Sequence, residues 1–127
     1  VDPSSIRNAV KLFLDSDFDV VFNHYPHKSN IPIGFGVEVF SFKFLEYLNE
    51  VVRSNFEREH VTLHAYQNRI NFKLMQDVSL CKHIVNDFIK LDVDTEDDVK
   101  RARALAEFVS IESTADEIIS AYKAYIL

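Results

Sequence analysis

An α/β fold is predicted for this chain, and three observations carry the prediction. Short apolar runs suited to buried strands alternate with longer stretches whose apolar residues recur at helical spacing. One run, Phe88-Ile89-Lys90-Leu91-Asp92-Val93, reaches an aspartate and leads through Asp94 and Thr95 into a charged helix. Such strand-to-helix junctions are where open α/β sheets place their ligands. The composition is that of a folded domain: 127 residues, 47% of them hydrophobic, suffice for one real core and are too apolar for disorder.

The elements follow in order. Asp2-Pro3 is a helix cap with proline at the first helical position, and Ile6, Val10, Phe13 and Leu14 give the apolar stripe of a helix to about residue 15. Asp19 to Asn23 reads as a short buried strand, and the polar stretch His24 to Asn30 as a loop. Both glycines fall in Gly34-Phe35-Gly36, a spacing that marks a turn or a close backbone approach. Val37 to Phe42 is strand-like, and Phe42, Leu45, Leu48, Asn49 and Val52 outline a second helix widened by Phe44 and Tyr47. Ser54-Asn55-Phe56-Glu57 is a capping box opening a third helix through Val61, Ala65 and Tyr66. Ile70, Phe72 and Leu74 alternate with polar residues as in a strand, and Ser79 to Asn86 is ambiguous. After the last strand, Thr95-Glu96-Asp97-Asp98 caps a helix through Val99, Ala102, Leu105, Ala106 and Val109. Thr114-Ala115-Asp116-Glu117 caps another to about Tyr125. No repeat or linker interrupts residues 1–127, which read as a single domain.

Composition excludes several function classes. A net charge of −6 argues against nucleic acid as a partner, though a metal ion could still mediate contact with a nucleotide. The single cysteine, Cys81, rules out an intramolecular disulfide, carries no catalytic signature and suits a reducing, cytoplasmic setting. No apolar run approaches the ~20 residues of a membrane span. The opening Val1-Asp2-Pro3-Ser4-Ser5 is no signal peptide; it lacks an initiator methionine and starts on a helix signal, which points to a fragment or a trimmed chain.

The densest chemistry is the cluster Asp92, Asp94, Asp97 and Asp98. A calcium-binding EF-hand loop counted from Asp92 would need Gly and Glu where Asp97 and Arg103 stand, so that reading fails. The plainer reading is a Thr95 cap with acids on the helix's positive end. The sharper one is a carboxylate poised for Mg²⁺, which binds one or two carboxylates plus substrate phosphates. His60 and His64 are spaced to share a helix face, but no third metal ligand is evident and surface histidines are the better reading. His24 and His27 carry no recognisable spacing. Arg58 and Arg69 could fork onto phosphate or carboxylate. The aromatic crowd from Phe35 to Phe56 is core by default and a subunit interface at its sharpest. Nothing matches a Walker loop or a dinucleotide fingerprint, and two glycines cannot build a glycine-rich phosphate cradle.

Several segments line up in one order: Gly36-Val37-Glu38-Val39-Phe40-Ser41-Phe42, then Leu45-Glu46, Glu57-Arg58-Glu59-His60-Val61-Thr62, and Leu91-Asp92-Val93-Asp94-Thr95-Glu96-Asp97-Asp98. Together they resemble the carboxy-terminal half of the cytidylyltransferases that activate acidic sugars. The nearest branch resembles the spore-coat polysaccharide biosynthesis protein F group, related to acylneuraminate and Kdo cytidylyltransferases. Val1-Asp2-Pro3 resembles the point just after that family's first metal-binding aspartate.

The resemblance implies part of a doubly wound nucleotide-diphospho-sugar transferase-like sheet with flanking helices. It implies attack of a sugar hydroxyl on the α-phosphate of CTP, with Mg²⁺ assisting, in a homodimer packed through the aromatic segment Phe35 to Tyr47. Asp94 matches the second metal-ligand aspartate of the family's Asp-Thr-x-x-Asp motif. Glu38 lies where the family lines its sugar side, and Arg58 and His60 match its Arg-Glu-His-Val-Thr motif. The family's CTP loop and first metal aspartate have no counterpart here, and Gly36 stands where relatives often carry an acid. No catalytic residue is therefore assigned, and the chain alone is expected to be inactive. A non-catalytic dimerisation or binding module derived from that fold is the alternative; an unrelated small α/β domain is the plainest one.

Overall fold

The computed structural model describes residues 2–24, 31–78 and 89–125. Helix α1, Pro3–Leu14, starts as expected: the buried Asp2 carboxylate accepts from the Ser4 N–H at 2.9 Å, and Pro3 begins the first turn. Burial opposes the charge of Asp2, but donors from Ser4 and Ser5 more than offset it and hold the carboxyl below its usual range. Strands β1 (Val20–Phe22), β2 (Glu38–Phe40) and β3 (Leu74–Gln76) form a sheet of order β2-β1-β3. β1 runs antiparallel to β2 and parallel to β3.

Alternation along β1 sorts the layers. Val21 packs with Ala9 of α1 and with Val37, while Val20 packs with Phe44, Leu48, Val52 and Ala65 on the opposite face. The latter belong to α2 (Phe42–Val51), its C-cap Val52, and α4 (Leu63–Gln67). Helices therefore cover both faces of a central strand whose three residues are all buried, as a strand flanked on both sides requires. A second core joins Ile31, Phe35 and Ile89 to α5 (Glu96–Ala106) and α6 (Ala115–Tyr125) through Leu105, Ala115, Ile118, Ala121 and Tyr122. The α/β class with flanking helices is thus observed.

Four expectations are corrected. The third helix breaks in two, α3 (Asn55–Glu59) and α4, because His60 leaves helical geometry at φ −110°, ψ 83°. The break turns the Thr62 hydroxyl onto Glu38, 2.7 Å away. The expected strand from Ile70 is pared to Leu74–Gln76: residues Arg69–Asn71 form a 3₁₀ turn and Ile70 is 96% exposed, so of the alternating residues only Phe72 and Leu74 reach the core. The last strand contributes a single parallel bridge between Ile33 and Lys90; its residue 88, the ambiguous stretch 79–86, Cys81 and His27 lie outside the described residues. Helix α5 also ends at Ala106 rather than Val109, tightening into i→i+3 bonds from Glu107 and Phe108.

Candidate functional site

β2 and the α3–α4 corner enclose a cleft of about 500 Å³. Glu38, His60, His24, Gly36, Phe56 and Thr62 line it with Val61, Leu63 and Tyr66. Glu38 pairs with Phe22 in the sheet, and its side chain meets the α4 helix. There the Thr62 hydroxyl donates to Oε2 and the Tyr66 hydroxyl to Oε1, each at 2.7 Å. Tyr66 is locked in turn by an edge-to-face contact with Phe22, ring centres 5.2 Å apart. Both donors are buried, so the carboxylate is held in one orientation at the cleft wall. His24 Nε2 lies 3.9 Å from Glu38 Oε1, and its Nδ1 is buried with no hydrogen-bond partner among the described residues.

Gly36 explains how His24 fits. A Cβ at position 36 would lie 2.8 Å from both Cε1 and Nδ1 of the imidazole, so the ring rests directly on bare backbone. The close approach expected of the Gly34-Phe35-Gly36 pair is thereby observed at Gly36. Gly36→Ala is expected to swing the His24 ring away at a cost of only about 1 kcal/mol, because the obstructed group is the end of a rotatable side chain. The His24 ring resonances in an NMR spectrum should shift while the melting temperature barely moves; a large fall in melting temperature would show that the ring cannot yield.

The other residues singled out in the sequence lie elsewhere. Arg58 faces away from the cleft lining and donates to the Asn49 side chain at 3.3 Å and to the Asn49 carbonyl at 3.4 Å, fastening α3 to the end of α2. His64 bonds Glu57 at 3.0 Å, and with the helix broken at His60 the two histidines no longer share a face. Donation from Ser54, then from His64, holds the Glu57 carboxyl below its usual range.

Asp94 belongs to a separate cluster at the start of α5. Lys90 Nζ sits amid three aspartates, 3.1 Å from Asp92, 3.5 Å from Asp94 and 3.0 Å from Asp98. Asp98 also accepts from Arg101 and from the backbone N–H groups of Asp94 and Thr95. Thr95 and Asp98 form a full capping box, so Asp98 is a cap and a counter-ion together, not decoration of the helix end. Two cations thus already offset two of these three carboxylates. Among the described residues no three His, Cys, Asp or Glu side chains converge as a metal site needs. Asp94, with its side chain 70% exposed, is the carboxylate left open; it can offer Mg²⁺ one ligand but not a complete site.

Sequence reasoning missed His24, Thr62 and Tyr66 as partners of Glu38. Thr62 and Tyr66 stand four apart, a spacing that puts two hydroxyls on one helical turn. His24 left no local signal, because only the fold brings it over Gly36.

The α/β fold matches part of a cytidylyltransferase. It superposes on a solved cytidylyltransferase from Leptospira borgpetersenii serovar Hardjo-bovis with a TM-score of 0.77 over 98% of this chain and 51% of that one, at 23% identity. In sequence the chain is 32% identical over 95 residues to an uncharacterised protein of Methanocaldococcus jannaschii, covering 75% of this chain and 37% of that protein. It matches no family model. The chain thus spans about half of the leptospiral enzyme's length and about a third of the archaeal protein's.

Proposed function

We propose that this chain is the carboxy-terminal part of a CTP-dependent cytidylyltransferase that makes a CMP-activated acidic sugar for surface polysaccharide synthesis. The observation that supports the reading is the superposition of nearly the whole chain on half of a solved cytidylyltransferase. The cleft around Glu38 and His60 would then be the sugar side, with Arg58 bracing α3, which forms one wall. Asp94 would give one carboxylate to Mg²⁺, which when bound neutralises triphosphate charge; the remaining ligands would come from the nucleotide and from residues outside these 127. The CTP cradle would lie outside them as well, and the setting would be cytoplasmic and homodimeric. Among the described residues no helix is long and apolar enough to cross a membrane.

Incubated with CTP, Mg²⁺ and an acidic sugar, this chain alone should release no pyrophosphate. The full reading frame that encodes it should, and Asp94→Asn there should lower turnover at least about a hundredfold. Unimpaired turnover by Asp94→Asn would sink the reading. A second reading, a dimerising module without catalysis, is favoured by the exposure on α2 of Phe42 at 74% and of Tyr47 at 43%. It predicts a stable dimer in sedimentation and no turnover from the full reading frame either.

A further inference from the structure

We propose that the Glu38 cleft holds the hydroxyl- or amine-bearing part of a sugar and turns carboxylates away, with Glu38 as the selecting group. The cytidylyltransferase reading enters only in identifying the ligand as a sugar. The polar inventory of the cleft carries the inference. Among the described residues its lining contains one carboxylate, two histidines, one threonine and one tyrosine hydroxyl, and no lysine or arginine. Among the described residues, a sugar carboxylate entering here meets a like charge and no fixed cation.

Glu38 is built to accept from a ligand. Each of its oxygens takes one internal bond, from Thr62 or from Tyr66, whose residues are 4% and 6% exposed. A carboxylate offers about four acceptor positions, so roughly two remain for ligand donors. Sugar hydroxyls and ammonium groups supply such donors; an ionised carboxylate supplies none. The two buried hydroxyls prevent Glu38 from turning aside, so it accepts without a reorientation cost. Phe56, 62% exposed at the cleft, offers an apolar face for the C–H side of a pyranose ring, the usual mixture of one aromatic surface and a few fixed polar groups. An acidic sugar would enter by its polyol or amino end, leaving its own carboxylate outside the cleft.

Three matched hexoses test this on the chain itself: glucosamine, glucose and glucuronate. Binding is read by NMR chemical-shift titration at one fixed pH of about 6.5, where glucosamine is carried as the ammonium and glucuronate as the carboxylate. Glucosamine should bind about tenfold or more tighter than glucuronate, with glucose between them. Glu38→Gln should compress that ratio to within about twofold, since it removes charge and keeps shape. Phe56→Ala, at an exposed position that folding does not need, should weaken all three by similar factors of about three to ten.

Glucuronate binding as tightly as glucosamine would overturn the inference, as would a ratio unmoved by Glu38→Gln, indifference to Phe56→Ala, or no binding by any of the three. None of these results bears on CTP turnover by the full reading frame, so the larger reading stands or falls separately.

Discussion

Gly34→Ala is expected to lower the unfolding free energy by about 3–5 kcal/mol, far more than the same change at Gly36. Gly34 adopts φ +99°, where a side chain is strained whatever the space around it. The space is also missing. A Cβ would lie 2.7 Å from the Leu91 carbonyl carbon, 2.8 Å from the Asp92 nitrogen and 2.8 Å from Leu91 Cβ. These are mainly backbone atoms and cannot rotate away as the His24 ring can. They are also stitched to the glycine loop: Ile33 donates to Ile89 at 3.2 Å and accepts from Leu91 at 2.8 Å. Relief would have to pull that bridge apart, and with it the core contacts of Phe35 and Ile89, both nearly inaccessible at 1% and 2%. Urea unfolding of the two alanine variants checks the contrast. A loss below about 1 kcal/mol at Gly34 would mean that the 31–36 and 89–92 segments are not tightly joined.

What the sequence made legible follows from the range of the forces involved. Caps are local, and Asp2, Ser41, Ser54, Thr95 and Thr114 all bond the backbone N–H two or three residues on, so helix starts could be read from neighbours alone. The strand that carries Glu38 also followed, from the run Val37 to Phe42. Helix continuity past His60 did not, because the break serves a bond from Thr62 to Glu38, 24 residues away. The strand expected at Ile70 failed for a similar reason: alternation states a preference, and pairing with β1 is available only from Leu74 on. The aspartate cluster was legible as acidity and not as balance. Nothing local says that Lys90 points among Asp92, Asp94 and Asp98, or that Arg101 reaches back to the Lys90 carbonyl at 3.0 Å.

That balance makes Asp98 the residue whose loss should be felt most widely at the start of α5. Asp98→Ala removes the cap on Asp94 and Thr95 and leaves two partly buried cations without their shared anion, so the melting temperature should fall by roughly 10 °C. Asp98→Asn keeps an acceptor for the cap but not the charge, and should fall between that variant and the wild type.

Acid separates the two roles. The Lys90 ammonium, then the Arg101 guanidinium and the Asp94 N–H, hold the Asp98 carboxyl far below its ordinary 3.8 in the folded chain. The unfolded chain therefore takes up this proton first as pH falls. The stabilisation is complete above about pH 5, begins to erode near 3.8 and goes on eroding below it. Melting temperatures followed from about pH 6 to 2 should consequently fall less steeply for Asp98→Asn than for wild type. Asp2 and Glu57, also held low, remain in both proteins and so leave the difference between the two slopes to Asp98. Parallel slopes would show that Lys90 and Arg101 are solvated rather than bound to Asp98. The cation position beside Asp94 would then be open, which would strengthen Asp94 as a metal ligand at the expense of this cluster as a fastening for α5.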